Sequence, residues 1–344
     1  MHLGAISTVF MNLSLRENAK RMHALGLKSI EIGAGGFFPK NHCDPARLLS
    51  DPAALDSFRS TLAEFEMDIS ALAMHGEPLS PDPDIAHAYD REFRQACALA
   101  QKLEIKHVTL IAGLPEARPG DKAPNWILFS FPPRNLEMYD WQWEQRLIPY
   151  WKEHGKIAED HGVRLCFELH PGDMVYNPEA FLHLRDAVGP VVGCLLDPSH
   201  LFWQGMDVIE VVRVLEGHIC HVHAKDLLVD QHVTRVNGVL DPKDFFQLNK
   251  RRSWNFRTVG YGHSGKFWRN FISTLRLVGY DGVLSIETED PLTEPEESLS
   301  LSAGFLNKIL LRKAPVPLWF QASAKSAKPV TGESADAGHA SERN

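Results

Sequence analysis

The apolar positions of this chain follow two alternating periods. Eight short runs rich in β-branched and aromatic residues have the length and composition of buried strands: LGAISTVF, KSIEIG, DISALAMHG, KHVTLIAG, RLCFEL, VVGCLLD, HICHVHAKD and GVLSIE. Between them lie stretches such as PAALDSFRSTLAEFE and IAHAYDREFRQACALAQKL, where apolar residues recur every three or four positions, the helical period. Glycines such as Gly26, Gly162 and Gly279 stand where those helices would close. Strand alternating with helix implies right-handed crossovers and a parallel sheet. Residues 1–312 are therefore predicted to form an α/β fold, a (β/α)8 TIM barrel, with a doubly wound sheet as the alternative.

Two connections run long, residues 113–135 and 227–256. In a barrel both fall on the C-terminal face, where they are expected to form a lid or substrate wall. Residues 313–344 are polar and rich in small residues, and are expected to be a largely disordered extension, with Trp319 and Phe320 able to dock it.

Composition narrows the function classes. The net charge of −8 argues against a nucleic-acid or anionic-membrane binder, since both surfaces are negative. No run approaches the roughly 18 apolar residues of a membrane span. The N-terminus lacks a basic start and a cleavage site, so it reads as a first strand, and the expected location is cytoplasmic. Five cysteines (Cys43, Cys97, Cys166, Cys194 and Cys220) without paired spacing read as buried thiols in a reducing compartment rather than as a disulfide.

The candidate chemistry lies at four strand ends. Glu168, Asp197, His223 and Glu287 close the runs FEL, LLD, HVH and LSIE. Carboxylates and an imidazole ending four successive buried strands are costly unless paired, and one shared divalent metal would satisfy them together. Three carboxylates and an imidazole suit Mn²⁺ or Mg²⁺, with Co²⁺ and Zn²⁺ as alternatives. An internal polar network without metal is the plain alternative. Around this set, His170 shares a face with Glu168, and Lys225 with His223. His200 follows Asp197 by three residues and reads as a substrate contact. His75 ends the third strand, lining the mouth or resting as a rim histidine. Glu31 reads as a group behind the ligands at most, and His107 as structural. In FRTVGYGH, Gly260 and Gly262 would let backbone approach a ligand, Arg257 would bind a substrate oxyanion, and His263 would cap the loop. Such a metal can acidify a C–H beside a carbonyl, and a carboxylate can take the proton to give an enediolate the metal holds. Glu168 and Glu287 are the expected proton-moving pair. The same abstraction serves an epimerase, an isomerase or a β-eliminating lyase.

These residues resemble the xylose-isomerase-like superfamily, the sugar phosphate isomerases/epimerases and AP endonucleases, over about residues 2–312. The resemblance rests on Glu168, on Asp197 followed by His200, on the His223 of HVHAKD, and on Glu287. It implies that the four residues bind Mn²⁺ or a similar ion, that the two glutamates are the acid/base pair, and that His200 and Arg257 hold a carbohydrate substrate. The wording DPSHLFWQGMD, HVHAKD and FRTVGYGH is similar to a branch acting on 3-keto-glycosides: epimerases, β-eliminating lyases and the barrel subunit of C-glycoside deglycosidases. That implies His170, with His75, as a candidate base. It also implies a homo-oligomer or a complex with a small second subunit. The nuclease branch needs extra metal ligands where this chain has Trp254 and Phe256, which leaves that alternative remote.

Overall fold

The structure, a computed structural model, describes residues 1–244, 250–314 and 316. The barrel strands appear where the apolar runs place them: β1 His2–Ile6, β2 Ser29–Gly33, β3 Asp68–Ala73, β4 His107–Leu110, β5 Arg164–Glu168, β6 Val192–Leu196 and β7 Ile219–Ala224. Two further strands, β8 Asp226–Val229 and β9 Trp254–Arg257, precede the last barrel strand, β10 Val283–Ile286. All barrel pairings are parallel, and the sheet closes in the order β1–β2–β3–β4–β5–β6–β7–β10. The doubly wound alternative is thereby removed. β2 and β6 are buried at every position, as strands enclosed on both faces must be.

The helices cover the outside through apolar stripes. Pro83–Leu103 starts on an Asp82 cap, with Oδ1 accepting the Asp84 N–H, and turns Tyr89, Phe93, Ala96, Cys97 and Ala100 inward. Gly26, Gly162 and Gly279 follow helix ends at φ of 76°, 66° and 84°, the left-handed region expected of them. Among the described residues no helix is long and apolar enough to cross a membrane.

Two features depart from expectation. β8 and β9 pair antiparallel outside the barrel, Asp226 opposite Arg257 and Val229 opposite Trp254, so the long connection after β7 carries its own hairpin. Cys166 and Cys220 are disulfide-bonded with Cα atoms 6.2 Å apart, while Cys43, Cys97 and Cys194 are free and buried. The reading of five separate thiols is corrected by strand geometry. On β6, between the two bonded cysteines, stands Gly193, where a Cβ would meet Cys220 Sγ at 2.6 Å, and that gap admits the sulfurs. Finally, the extension 313–344, with Trp319 and Phe320, lies outside the described residues except for 313, 314 and 316.

Candidate metal centre

Each of the four strand-end residues arrives by a local device. Glu168 is the last residue of β5, His223 lies one from the end of β7, and Glu287 follows β10 directly. Asp197 follows β6 and caps the short helix Pro198–Phe202, its Oδ1 accepting the Ser199 N–H at 2.7 Å. Proline at the first helical position and aspartate before it are favoured residues for such a start. The cap uses one carboxylate oxygen and leaves Oδ2 for the barrel mouth.

The four side chains converge. One ligand atom from each lies within 4.8 Å of all the others. His223 Nδ1 stands 3.2 Å from Glu287 Oε2, 3.5 Å from Glu168 Oε1 and 3.7 Å from Asp197 Oδ2. Glu168 Oε1, Asp197 Oδ2 and His223 Nδ1 are buried without a hydrogen-bond partner. Orphaned acceptors facing one point are what a cation would satisfy. Ligands about 2.1 Å from an ion stand about 3.0–3.4 Å apart, so the 3.2–3.7 Å distances from His223 Nδ1 are slightly wider than those around one first-row divalent ion and would contract on binding. Among the described residues this is the only such donor group.

Electrostatics points the same way. Burial would raise the Glu168 carboxyl, but the adjacent His223 and His75 imidazoles hold it well below its ordinary range. Burial pushes Asp197 up to about 6 despite His223 and Lys225. Glu287 is lowered to about 2, burial being outweighed by the charges of Lys225 and His223. Burial works against a proton on His223, yet Glu31, Glu287, Asp197 and Glu168 raise its affinity well above normal. Positive charge is strongly favoured at this point of the barrel.

A cavity of about 960 Å³ opens above the cluster. His75, Glu168, His170, His200, Lys225 and Glu287 line its floor and flank. His75 Nε2 is 3.0 Å from Glu168 Oε2, and the His170 and His200 rings are 4.4 Å apart. Burial lowers the pKa of both His170 and His200, so both are neutral near pH 7. Lys225 Nζ sits 4.3 Å over the Phe256 ring and 3.1 Å from Glu287 Oε2, with Glu289 as a second ion-pair partner. Apolar walls come from Phe37, Phe38, Trp126, Leu128, Trp203 and Trp254, so both long connections do reach the cavity.

Arg257 is the predicted residue that is not brought to this site. It is absent from the cavity wall, and its Nη1 donates to the Phe256 carbonyl and lies 3.8 Å from Asp290. In the β8–β9 hairpin its neighbour Phe256 takes the inward position. The glycine loop is likewise turned to another purpose. Asp226 Oδ2 accepts the N–H groups of Gly260, Gly262 and His263 and the Trp268 indole, while Oδ1 accepts from Leu227 N and faces His263 Nδ1 at 2.8 Å. A Cβ on Gly262 would meet the Leu227 carbonyl at 2.3 Å. These glycines therefore approach an aspartate rather than a ligand. Sequence reasoning missed Glu289, although it lies two positions beyond Glu287, and the Asp226 knot. Glu31 sits within β2, not at its end, directly behind His223.

Fold and cluster together define a closed parallel barrel with a carboxylate-and-histidine cluster at its C-terminal mouth that could hold a metal ion. The model of the xylose isomerase-like TIM barrel family matches residues 19–309, and the chain belongs to that family. It is 37% identical over 289 residues to the uncharacterized protein YfiH of Bacillus subtilis (strain 168), covering 83% of this chain and 92% of that protein. It is 32% identical over 139 residues to an inosose dehydratase of Clostridium perfringens, 40% of this chain and 44% of that enzyme. Among solved structures, the IolI protein with a bound zinc atom superposes with a TM-score of 0.63 at 19% identity, covering 90% of this chain and 98% of that one. L-ribulose 3-epimerase superposes with a TM-score of 0.60 at 17% identity, covering 95% and 99%.

Proposed function

We propose that this chain is a divalent-metal-dependent sugar isomerase or epimerase, acting on a keto-sugar or keto-glycoside by moving a proton on the carbon beside its carbonyl. The observation that carries the reading is the convergence of Glu168, Asp197, His223 and Glu287, three of their ligand atoms orphaned, beside a cavity that Glu168 and Glu287 line. Those four residues would hold the ion, with Mn²⁺ as the best match to three carboxylates and one imidazole. When bound, the ion polarises a carbonyl and its neighbouring hydroxyl and so acidifies the C–H between them.

The remaining work falls to side chains. Glu168 and Glu287 come from strands on different sides of the mouth, β5 and β10, and both line the cavity. One takes the proton and the other returns it. Return to the opposite face inverts the centre, and return to the neighbouring carbon moves the carbonyl. His170, neutral and beside His200, is a second base within the cavity. His200 and His75 would position hydroxyls. Lys225, poised between two glutamates, would meet an oxygen that gains negative charge. Arg257, turned away, has no part in this reading.

A second reading, a β-eliminating lyase on keto-glycosides, uses the same abstraction and then expels a group on the adjoining carbon. A cavity of about 960 Å³ lies at the large end of small-molecule sites, and its outer wall is mainly aromatic. This favours a substrate larger than a free sugar. The match to an inosose dehydratase also supports elimination chemistry. The nuclease alternative loses support, because Trp254 and Phe256 form cavity wall where further metal ligands would be needed. Exposed Phe37, Phe129 and Phe131 support working as a homo-oligomer or with a small second subunit.

The test is substitution of the two glutamates. Glu168→Gln or Glu287→Gln should lower turnover about 10²–10⁴-fold while the fold survives by circular dichroism. Full activity in either variant, or in metal-free protein, contradicts the proposal.

A further inference from the structure

Behind the ligands, inside the barrel, lies a polar layer that the proposed chemistry does not use. Its centre is Glu31, fully buried in β2. Its Oε1 accepts from Thr109 Oγ1 of β4 at 2.7 Å. Its Oε2 accepts from Ser285 Oγ of β10 at 2.7 Å and from His223 Nε2 of β7 at 3.0 Å. His221 Nε2, also on β7, lies 3.1 Å from the same oxygen. The tautomer of His221 follows from its other nitrogen. Nδ1 accepts the Val222 N–H at 3.1 Å, so a neutral ring carries its hydrogen on Nε2, which lies beside Glu31 without a hydrogen-bond partner.

A buried, paired carboxylate in a barrel interior adds little stability, because apolar residues of equal volume would serve as well or better. Its geometry serves the mouth instead. With three strands directing donors at it, Glu31 is a fixed acceptor, and the only hydrogen His223 can offer it is the one on Nε2. That leaves Nδ1 without a hydrogen-bond partner, beside Glu168, Asp197 and Glu287.

We propose that Glu31 is the positioning residue of the metal centre: clamped by Thr109 and Ser285, it fixes His223 with its hydrogen on Nε2 and so presents Nδ1 as the ligating atom. The inference rests on the proposed metal site and deepens it. A hydrogen-bonded carboxylate behind a ligating histidine both orients the ring and increases its basicity, and its loss weakens metal binding about 10–100-fold.

The experiment uses the full chain and Zn²⁺ alone. Zinc affinity is measured by competition with a chelating dye, and the nitrogens of His223 are read by ¹⁵N NMR of the Zn²⁺-loaded protein. In the wild type, Nδ1 should carry the metal and Nε2 the hydrogen. Glu31→Gln should raise the Kd for Zn²⁺ about 10–100-fold with its circular dichroism retained. Should that variant fail to fold, Ser285→Ala removes one clamp from the same oxygen and should raise the Kd about threefold or more. Ligation through Nε2, or a Kd within twofold of wild type in a folded Glu31→Gln or in Ser285→Ala, overturns the inference and leaves the metal site standing. Failure of wild-type protein to bind Zn²⁺ overturns both.

Discussion

Lys225 offers the sharpest test of how charge is balanced at the mouth. The residue is 3% exposed, and its ammonium lies 3.1 Å from Glu287, 4.0 Å from Asp197 and in an ion pair with Glu289. Lys225→Met keeps the apolar stem over Phe256 but removes the only lysine or arginine paired with Glu287 among the described residues. Breaking a buried pair by deleting one partner costs about 3–5 kcal/mol. The low end applies here, because the Glu289 side chain is 32% exposed and can be re-solvated. Unfolding entropy of about 2.1 cal/mol/K per residue, summed over Met1–Leu311, gives about 1.5 °C per kcal/mol, so metal-free Lys225→Met should melt about 5 °C below wild type. A divalent cation restores what the substitution removed. Calorimetry at a fixed excess of Mn²⁺ should then show a larger metal-induced rise in Tm for the variant than for wild type. An equal or smaller rise would refute the reasoning, since Lys225 would then share no charge balance with the ion.

Two further outcomes follow from groups outside the cavity. Burial, with help from the nearby His221 and Arg164, lowers the His107 pKa from 6.5 to about 4. The folded state therefore binds fewer protons than the unfolded chain between those values, and stability complete above pH 6.5 is lost as pH falls toward 4, by up to about 3 kcal/mol. Chemical denaturation of wild type and His107→Gln across pH 4–7 should show a shallower fall in the variant, and parallel curves would contradict it. Asp226→Asn replaces an acceptor that faces six donors, and should cost about 3 kcal/mol with loss of hydrogen-exchange protection at residues 258–263. Unchanged exchange there would show that the loop holds itself.

The barrel was legible because each strand is a short, largely buried apolar run and the helices between show their own period, a local signal repeated along the chain. The convergence of the four residues was legible for the same reason: they stand at or beside the ends of neighbouring barrel strands, and parallel register brings strand ends together. What stayed hidden depends on side-chain direction beyond the strand. Arg257 sits in a hairpin whose alternation sends Phe256 inward, and no local pattern distinguishes that from the opposite phase. Asp226 follows Lys225 by one residue, so it turns away from the cavity and gathers the glycine loop. The Cys166–Cys220 bond joins strands that are not neighbours, across Gly193, and spacing of 54 residues carries no sign of it.

The central claim is proton abstraction beside a carbonyl at a metal held by Glu168, Asp197, His223 and Glu287. Its most direct test is incubation of the Mn²⁺-loaded protein in D₂O with free ketoses and with 3-keto-glycosides, read by mass spectrometry and NMR of the recovered sugar. The account predicts deuterium at the carbon next to the carbonyl in recovered substrate or epimer, or aglycone release where elimination wins, and loss of both after chelation. Substrates returned without deuterium and without cleavage, or exchange undiminished in metal-free protein, would contradict it.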